Sequence, residues 1–191
     1  MQSDDSQLIA RLQAGDLDAL GELYDRYRLL VYRTALSVVR NPDSAEDITQ
    51  DVFLRLYDYS SRVDRSRPLP PWLYRVTVNF AYTWSTRRKR WGTRVGSWLG
   101  RLFETGRLGP EQTVEQHDEL RALQAAVDNL PLNQRIVVVL YYQQGLNLQA
   151  IAEILERPVG TVKSRLHYGR ENLRRSLSNE TGAGAVAYEF T

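Results

Sequence analysis

The chain has 191 residues, a formal net charge of +2, 42% hydrophobic residues and no cysteine. This composition fits a globular chain of one domain or two small ones, and it excludes a disulfide scaffold, thiol chemistry and a cysteine zinc site. No apolar run approaches the roughly 20 residues that span a bilayer, and His117 and His167 stand too far apart in sequence to suggest a histidine-rich metal site.

The distribution of charge says more than its sum. Acidic residues dominate the start of the chain and the run from Asp43 to Asp58, whereas basic residues cluster from Arg87 to Arg107 and from Arg157 to Arg175. Such segregation implies at least two partner surfaces of opposite sign.

The first segment, MQSDDSQLIARLQ, is acidic and helical rather than basic then apolar, so no signal peptide is expected. A long helix is predicted from Asp16, with Leu17, Leu20, Tyr24, Tyr27 and Val31 along its apolar face. Asn41-Pro42-Asp43 breaks the chain. Ser44 and Asp47 then have the spacing of a capping box, and SAEDITQDVFLRLYDY places Ala45, Ile48, Val52 and Leu56 on one stripe. Asp47, Gln50, Asp51, Leu54 and Asp58 occupy the opposite face. Residues 60–70, SSRVDRSRPLP, read as a polar, proline-bearing loop. Pro71 suits the first turn of the next helix, PWLYRVTVNFAYTWSTRRKRW. Its core side is expected to be Trp72, Leu73, Val76, Phe80 and Trp84, with Tyr74, Arg75, Val78, Asn79, Tyr82 and Lys89 facing elsewhere. A first domain therefore spans residues 1–90.

Periodicity is lost after Trp91, where glycine-punctuated basic sequence reads as a linker over 91–117. Trp98, Leu99, Leu102 and Phe103 are apolar for a linker and suggest a short docking helix. A second domain is expected over 118–178. Its first helix carries Leu120, Leu123, Val127 and Leu130 and stops at Pro131. Asn133 is positioned to cap a helix through Tyr142, although Ile136-Val137-Val138-Val139 alone suits a strand equally well. Gly145 ends that segment. LQAIAEIL (148–155) then forms a short amphipathic helix, followed by a tight turn and the basic helix of RPVGTVKSRLHYGRENLRR. Residues 179–191 are small and polar and are expected to be disordered.

A short helix with Ala152 in its middle, a turn and a basic helix make up helix-turn-helix grammar, in which the second helix enters the major groove. On that helix Val162, Leu166, Leu173 and Leu177 form the buried stripe. Lys163, Ser164, His167, Tyr168, Glu171 and Arg174 point away from it, with Arg165 on the flank. Lysine and arginine suit guanine edges, and serine and histidine suit bases or phosphate.

PVGTVKSRLHYGRENLR, preceded by LPLNQRIVVVLYYQQGLNLQAIAEIL, resembles region 4 of bacterial sigma factors of the sigma-70 family. SAEDITQDVFLRLY followed by PWLYRVTVNFAY resembles region 2 of that family. With two domains in this order and at this length, the chain is similar to the extracytoplasmic-function (ECF) group. The resemblance implies an all-α fold of two small helical domains joined by a flexible linker. It implies a promoter-specificity subunit, not an enzyme, with no cofactor and no metal. Asp47, Gln50, Asp51 and Leu54 would dock on the clamp helices of the polymerase's largest subunit. Arg62, Arg65, Tyr74, Arg75, Asn79, Tyr82, Arg87, Arg88 and Lys89 would read and open the minus-ten element. Thr161, Lys163, Ser164, Arg165, His167, Tyr168 and Arg174 would read the minus-thirty-five element. Implied partners are the RNA polymerase core, including its flap region, promoter DNA and an anti-sigma factor, in the cytoplasm or held at the inner membrane through that factor. Thr83, Glu156, Tyr168 and Gly169 depart from residues common in the family, which often has a turn glycine at the place of Glu156 and an alanine at that of Gly169. Three other readings stay open from the residues alone. They are a two-domain repressor or activator, a metal-dependent nuclease built on Glu46, Asp47 and Asp51, and a sigma-like protein that binds anti-sigma factors but not promoters.

Overall fold

The computed structural model describes residues 4–90 and 114–180, with side chains for 4–87 and 121–178. All regular structure among the described residues is helical. It falls into two compact units, one carrying α1–α4 and the other α5–α8. The docking helix expected around Trp98–Phe103 and the tail from residue 181 onward lie outside the described residues.

In the first unit, α1 (Asp5–Gln13), α3 (Pro42–Tyr59) and α4 (Leu69–Arg90) all pack on α2 (Leu17–Val39). Asp16 caps α2 as expected, accepting from the Asp18 amide. The buried line of α2 differs from the expected one. Ala19, Leu23, Val31, Ala35 and Val38 are fully buried, whereas Leu17 is 60% exposed. Three helices crowd against α2, so close approach favours alanines at places where size alone would choose leucine and tyrosine. Asp5 fastens α1 to α2 by pairing with Arg26 at 2.6 Å and accepting from the Tyr27 hydroxyl. Burial, then that bond, push the Tyr27 pKa up to about 12.

Helix α3 begins at Pro42, ahead of the expected Ser44. The cap is Asn41, whose side chain accepts from the Ser44 amide at 2.8 Å and the Ser44 hydroxyl at 2.6 Å. Asn-Pro here works as N-cap followed by first helical residue, because proline's missing N–H costs nothing at that position. Helix α4 likewise starts at Leu69, with both prolines in its first turn.

The second unit packs α5 (Val114–Asn129), α6 (Leu132–Val138) and α7 (Leu148–Leu155) around α8 (Val159–Glu180). Helix α5 starts inside the stretch expected to be linker, and α8 runs two residues past the expected domain end. Ile136 to Val139 are all buried and helical; α6 passes into a π-turn over Val139–Gln143. Pro131, not Asn133, occupies the cap position. Here tertiary burial overrides the β-propensity of the valine run. Among the described side chains of α5, Ala126 is the buried one and Leu123 is 39% exposed; the side chain of Leu120 lies outside the described residues. Arg135 donates to the carbonyls of Asp128 and Leu130, satisfying groups that the end of α5 leaves without helical partners.

Gly169 is buried where α8 crosses α6. A Cβ added there would lie 2.9 Å from Val138 Cγ2, a methyl held by a stiff β-branched side chain. Alanine gains about 1 kcal/mol of helix propensity over glycine, but overpacking a tight contact costs about 1–3 kcal/mol. Gly169→Ala is therefore expected to lower stability in the native background and to raise it in a Val138→Ala background. A double-mutant cycle by urea denaturation should return a coupling above about 0.5 kcal/mol.

Candidate nucleic-acid and protein interfaces

The α3 surface divides cleanly. Ala45, Ile48, Thr49, Val52, Phe53 and Leu56 are buried against the unit, while Asp47, Gln50, Asp51 and Asp58 are exposed. Leu54 sits in the middle of that acidic face and is 60% exposed, with Tyr57 beside it at 45%. Fully burying a leucine is worth about 1.5–3 kcal/mol. A face that leaves one among carboxylates has the make-up of a docking surface.

Beyond α3, a short 3₁₀ turn (Ser60–Arg62) leads into the loop. Val63 and Leu69 are buried and anchor its two ends. Between them Asp64 accepts from the Ser66 amide at 2.9 Å and the Ser66 hydroxyl at 2.6 Å, an Asx turn. Those bonds, the hydroxyl one first, hold the Asp64 carboxyl below its usual range. Arg62 and Arg65 are exposed. Sequence reasoning missed what flanks them: the Arg55 guanidinium lies 4.7 Å from the Tyr59 ring centre, and the Arg62 guanidinium 5.4 Å from it. Tyr59 keeps 40% of its surface exposed. The only sequence signal was the i, i+4 spacing of Arg55 and Tyr59.

Helix α4 corrects one candidate. Tyr74 is 6% exposed and Val78 is 3% exposed, so both belong to the core stripe with Leu73, Thr77 and Ala81. Burial pushes the Tyr74 phenol up. Trp72, Val76, Phe80 and Trp84, expected in the core, are half-buried instead. The core stripe is turned by about one residue, because small Thr77 and Ala81 let the helix sit close to its neighbours. Arg75, Asn79 and Tyr82 share the opposite side at steps of four and three residues. Arg75 is half-buried, Asn79 is exposed and Tyr82 is 42% exposed. Arg87 is also exposed; the side chains of Arg88 and Lys89 lie outside the described residues.

In the second unit, α7 is capped by Asn147, whose side chain accepts from the Ala150 amide at 2.8 Å. Ile151, Ala152 and Ile154 are buried. The turn into α8 passes through Glu156 at φ 51° and ψ 48°, and the Arg157 amide donates back to the Ala152 carbonyl at 3.0 Å. This is the left-handed helix stop that glycine usually supplies. On α8, Val162, Leu166, Leu173 and Leu177 are buried as expected. Lys163, Ser164, His167, Tyr168 and Arg174 are exposed, and Thr161 and Arg165 half-buried. Tyr168 is 60% exposed and meets the His167 ring edge-on at 5.4 Å. Arg174 pairs with Glu171 one turn earlier. The Ser164 hydroxyl donates to the Gly160 carbonyl at 2.9 Å, so it presents lone pairs outward.

Among the described residues no group of three or more His, Cys, Asp or Glu side chains gathers in a way that could hold a metal ion. Among them, too, no helix is long and apolar enough to cross a membrane.

A basic helix displayed after a helix and a left-handed turn defines a helix-turn-helix protein. Residues 23–91 match the Sigma-70 region 2 family, and residues 120–173 match the Sigma-70, region 4 family. The ECF RNA polymerase sigma factor SigW of Bacillus subtilis (strain 168) is 34% identical over 177 residues, covering 88% of this chain and 94% of the relative. The ECF RNA polymerase sigma-E factor of Escherichia coli (strain K12) is 30% identical over 179 residues, covering 89% and 92%. The chain belongs to the ECF group of RNA polymerase sigma factors, the subunits that give the polymerase its promoter specificity. Its fold is similar to that of CnrH, solved in complex with the cytosolic domain of CnrY, at a TM-score of 0.66 and 22% identity over 92% of this chain and 98% of that one. It is similar also to the sigma factor RpoE of Bartonella quintana, solved with the anti-sigma factor NepR, at a TM-score of 0.64 and 22% identity over 83% and 96%.

The left-handed Glu156 carries a strain of about 1–2 kcal/mol that glycine avoids, partly offset by glycine's freer unfolded chain. Glu156→Gly is expected to raise the stability of the second unit by about 0.5–1 kcal/mol, measured by denaturant midpoint at constant m-value.

Proposed function

We propose that the three outward surfaces divide the work of promoter recognition. The acidic α3 face, with Asp47, Gln50, Asp51 and Leu54, docks on the clamp helices of the polymerase's largest subunit. The loop cations Arg62 and Arg65, the stacked Tyr59, and the α4 stripe of Arg75, Asn79 and Tyr82 hold the minus-ten element and capture its unpaired bases. Aromatic rings beside cations suit that task, because every base has a face to stack. Arg87, Arg88 and Lys89 supply phosphate contacts. Tyr74 is left out of this set, because its ring belongs to the core. On α8, Thr161, Lys163, Ser164, Arg165, His167, Tyr168 and Arg174 read the minus-thirty-five element in the major groove. Ser164, presenting lone pairs, favours a base-edge amino group, as on cytosine or adenine.

The chain contributes no catalytic residue; the chemistry is the polymerase's. It works in the cytoplasm. An anti-sigma factor that covers the docking surfaces is the remaining partner, on the pattern of the complexes in which the two similar folds were solved. The observation that carries the reading is Leu54, 60% exposed at the centre of an acidic face on one unit, while the other unit displays a basic reading helix. A nuclease does not need Leu54, and a free-standing repressor does not need the acidic face.

Reconstitution with polymerase core and run-off transcription on a library of genomic fragments tests it. Promoter-dependent transcripts are expected, and their absence would overturn the reading. Leu54→Ala and Asp51→Ala should each weaken core binding by about tenfold, a typical value for a central contact residue. Both residues are exposed, so the circular-dichroism melt should not move. In contrast, Lys163→Ala and His167→Ala should leave core binding intact and reduce transcription only from templates with a minus-thirty-five element. Tight sequence-specific duplex binding without core would favour the repressor reading instead.

A further inference from the structure

We propose that Gln13 is a positioning residue for minus-ten selection: its side-chain amide sets the Ser60–Val63 turn, and through it the Tyr59 and Arg62 side chains. This inference rests on the reading of the loop given above. The Nε2 of Gln13 donates to the Ser60 carbonyl at 2.9 Å and to the Val63 carbonyl at 3.1 Å, across 47 and 50 residues of sequence. An amide nitrogen has two protons, and both are spent on the two ends of one turn. The Ser60 carbonyl also accepts from the Val63 amide at 3.0 Å. One oxygen is thus tied both within the turn and to α1.

The point from which Gln13 reaches out is itself held. Gln13 is the last residue of α1, and Leu12 before it is buried at 2% exposure. Gly15 then turns the chain at φ 92°, with its amide on the Leu12 carbonyl at 3.0 Å. Arg11 bridges Asp16 and Glu22, both at 2.7 Å, closing the corner between α1 and α2. At its other end the turn carries Arg62, whose guanidinium stacks on Tyr59, which in turn meets Arg55. A shift of the turn would therefore move a cation and a ring together. The core needs nothing from this amide: Gln13 is exposed, while Leu8, Ile9 and Leu12 do the packing of α1. An exposed glutamine that spends both donors on a distant turn is placed to set geometry, since the loop ends are already anchored by Val63 and Leu69.

Gln13→Glu is the sharpest test, because it keeps the shape and replaces two donors with acceptors facing two carbonyl oxygens. Gln13→Lys restores donors and should behave like the wild type. Each protein is assembled with polymerase core and used to select transcribed templates from a library randomised at the minus-ten and minus-thirty-five elements. For Gln13→Glu, discrimination at the minus-ten positions should fall about fivefold to tenfold, within the range one mismatched base is worth. The minus-thirty-five profile and core affinity should be unchanged. A merely structural role would lower yield equally on all templates and leave both profiles intact. That outcome, or failure of Gln13→Lys to restore selectivity, overturns the proposal while the wild-type profile still supports the promoter reading. A wild type with no minus-ten preference overturns both.

Discussion

One geometric constraint governs the second unit: the side of α8 that closes the hydrophobic core decides which side is left exposed for a partner. Val162, Leu166, Leu173 and Leu177 must face inward together, and a helix that turns once per 3.6 residues then has no freedom over the rest. Lys163, Ser164, His167 and Tyr168 face outward as a consequence of that buried stripe, whatever their own preferences. The two demands meet at the flanks. Gly169 marks the place where the backbone comes within reach of Val138 Cγ2. Arg170 lies on the flank toward the π-turn, where its Nε donates to the Tyr142 hydroxyl at 2.7 Å and its guanidinium stacks on Tyr141. Asn172, on the opposite flank, binds Gln134 of α6 at 2.8 Å. These contacts add to the apolar stripe in fixing the rotation of α8 about its own axis, and the proposed groove reading depends on that rotation.

The first unit obeys the same logic with a different helix at its centre. Helix α2 is covered by α1, α3 and α4, so each of those three has a free side pointing away from it. The free side of α3 is acidic and centred on Leu54; that of α4 carries Arg75, Asn79 and Tyr82. The loop between them is held to α1 by Gln13 and to the core by Val63 and Leu69. The packing of the unit thus sets the spacing between an acidic surface and a basic, aromatic one.

Much of this was legible in sequence wherever an apolar stripe was narrow and its neighbours polar. LQAIAEIL folds as α7 over Leu148–Leu155, and Val162, Leu166, Leu173 and Leu177, the stripe that periodicity selects on α8, are buried, with Gly169 buried beside them. Legibility failed where a helix has several neighbours. The widely covered α2 and the close-packed α4 bury Ala19, Thr77 and Ala81, and a pattern read by side-chain size placed Leu17 inside and Tyr74 outside. It failed again where polar chemistry decides. Asn41 outcompetes Ser44 as a cap because its oxygen reaches both the amide and hydroxyl of Ser44. The Gln13 contact joins residues about fifty positions apart and leaves no periodic trace. The left-handed turn at Glu156 was suggested only by a resemblance in which glycine is usual; the backbone angle explains why glycine is usual there.

The individual surfaces are modest, and the physics of linked sites explains why that suits such a protein. Exposed cation–π pairs like those around Tyr59 contribute about 0.5–1 kcal/mol each, and Arg174 already spends part of its charge on Glu171. On the proposed division of work, neither unit needs to hold promoter DNA firmly alone. If α3 docks on the polymerase as proposed, each DNA contact becomes intramolecular, and joining weak contacts in this way raises the whole by about 10²–10⁴. On the proposed reading, weak separate surfaces then confer an advantage: DNA is engaged where polymerase is also present.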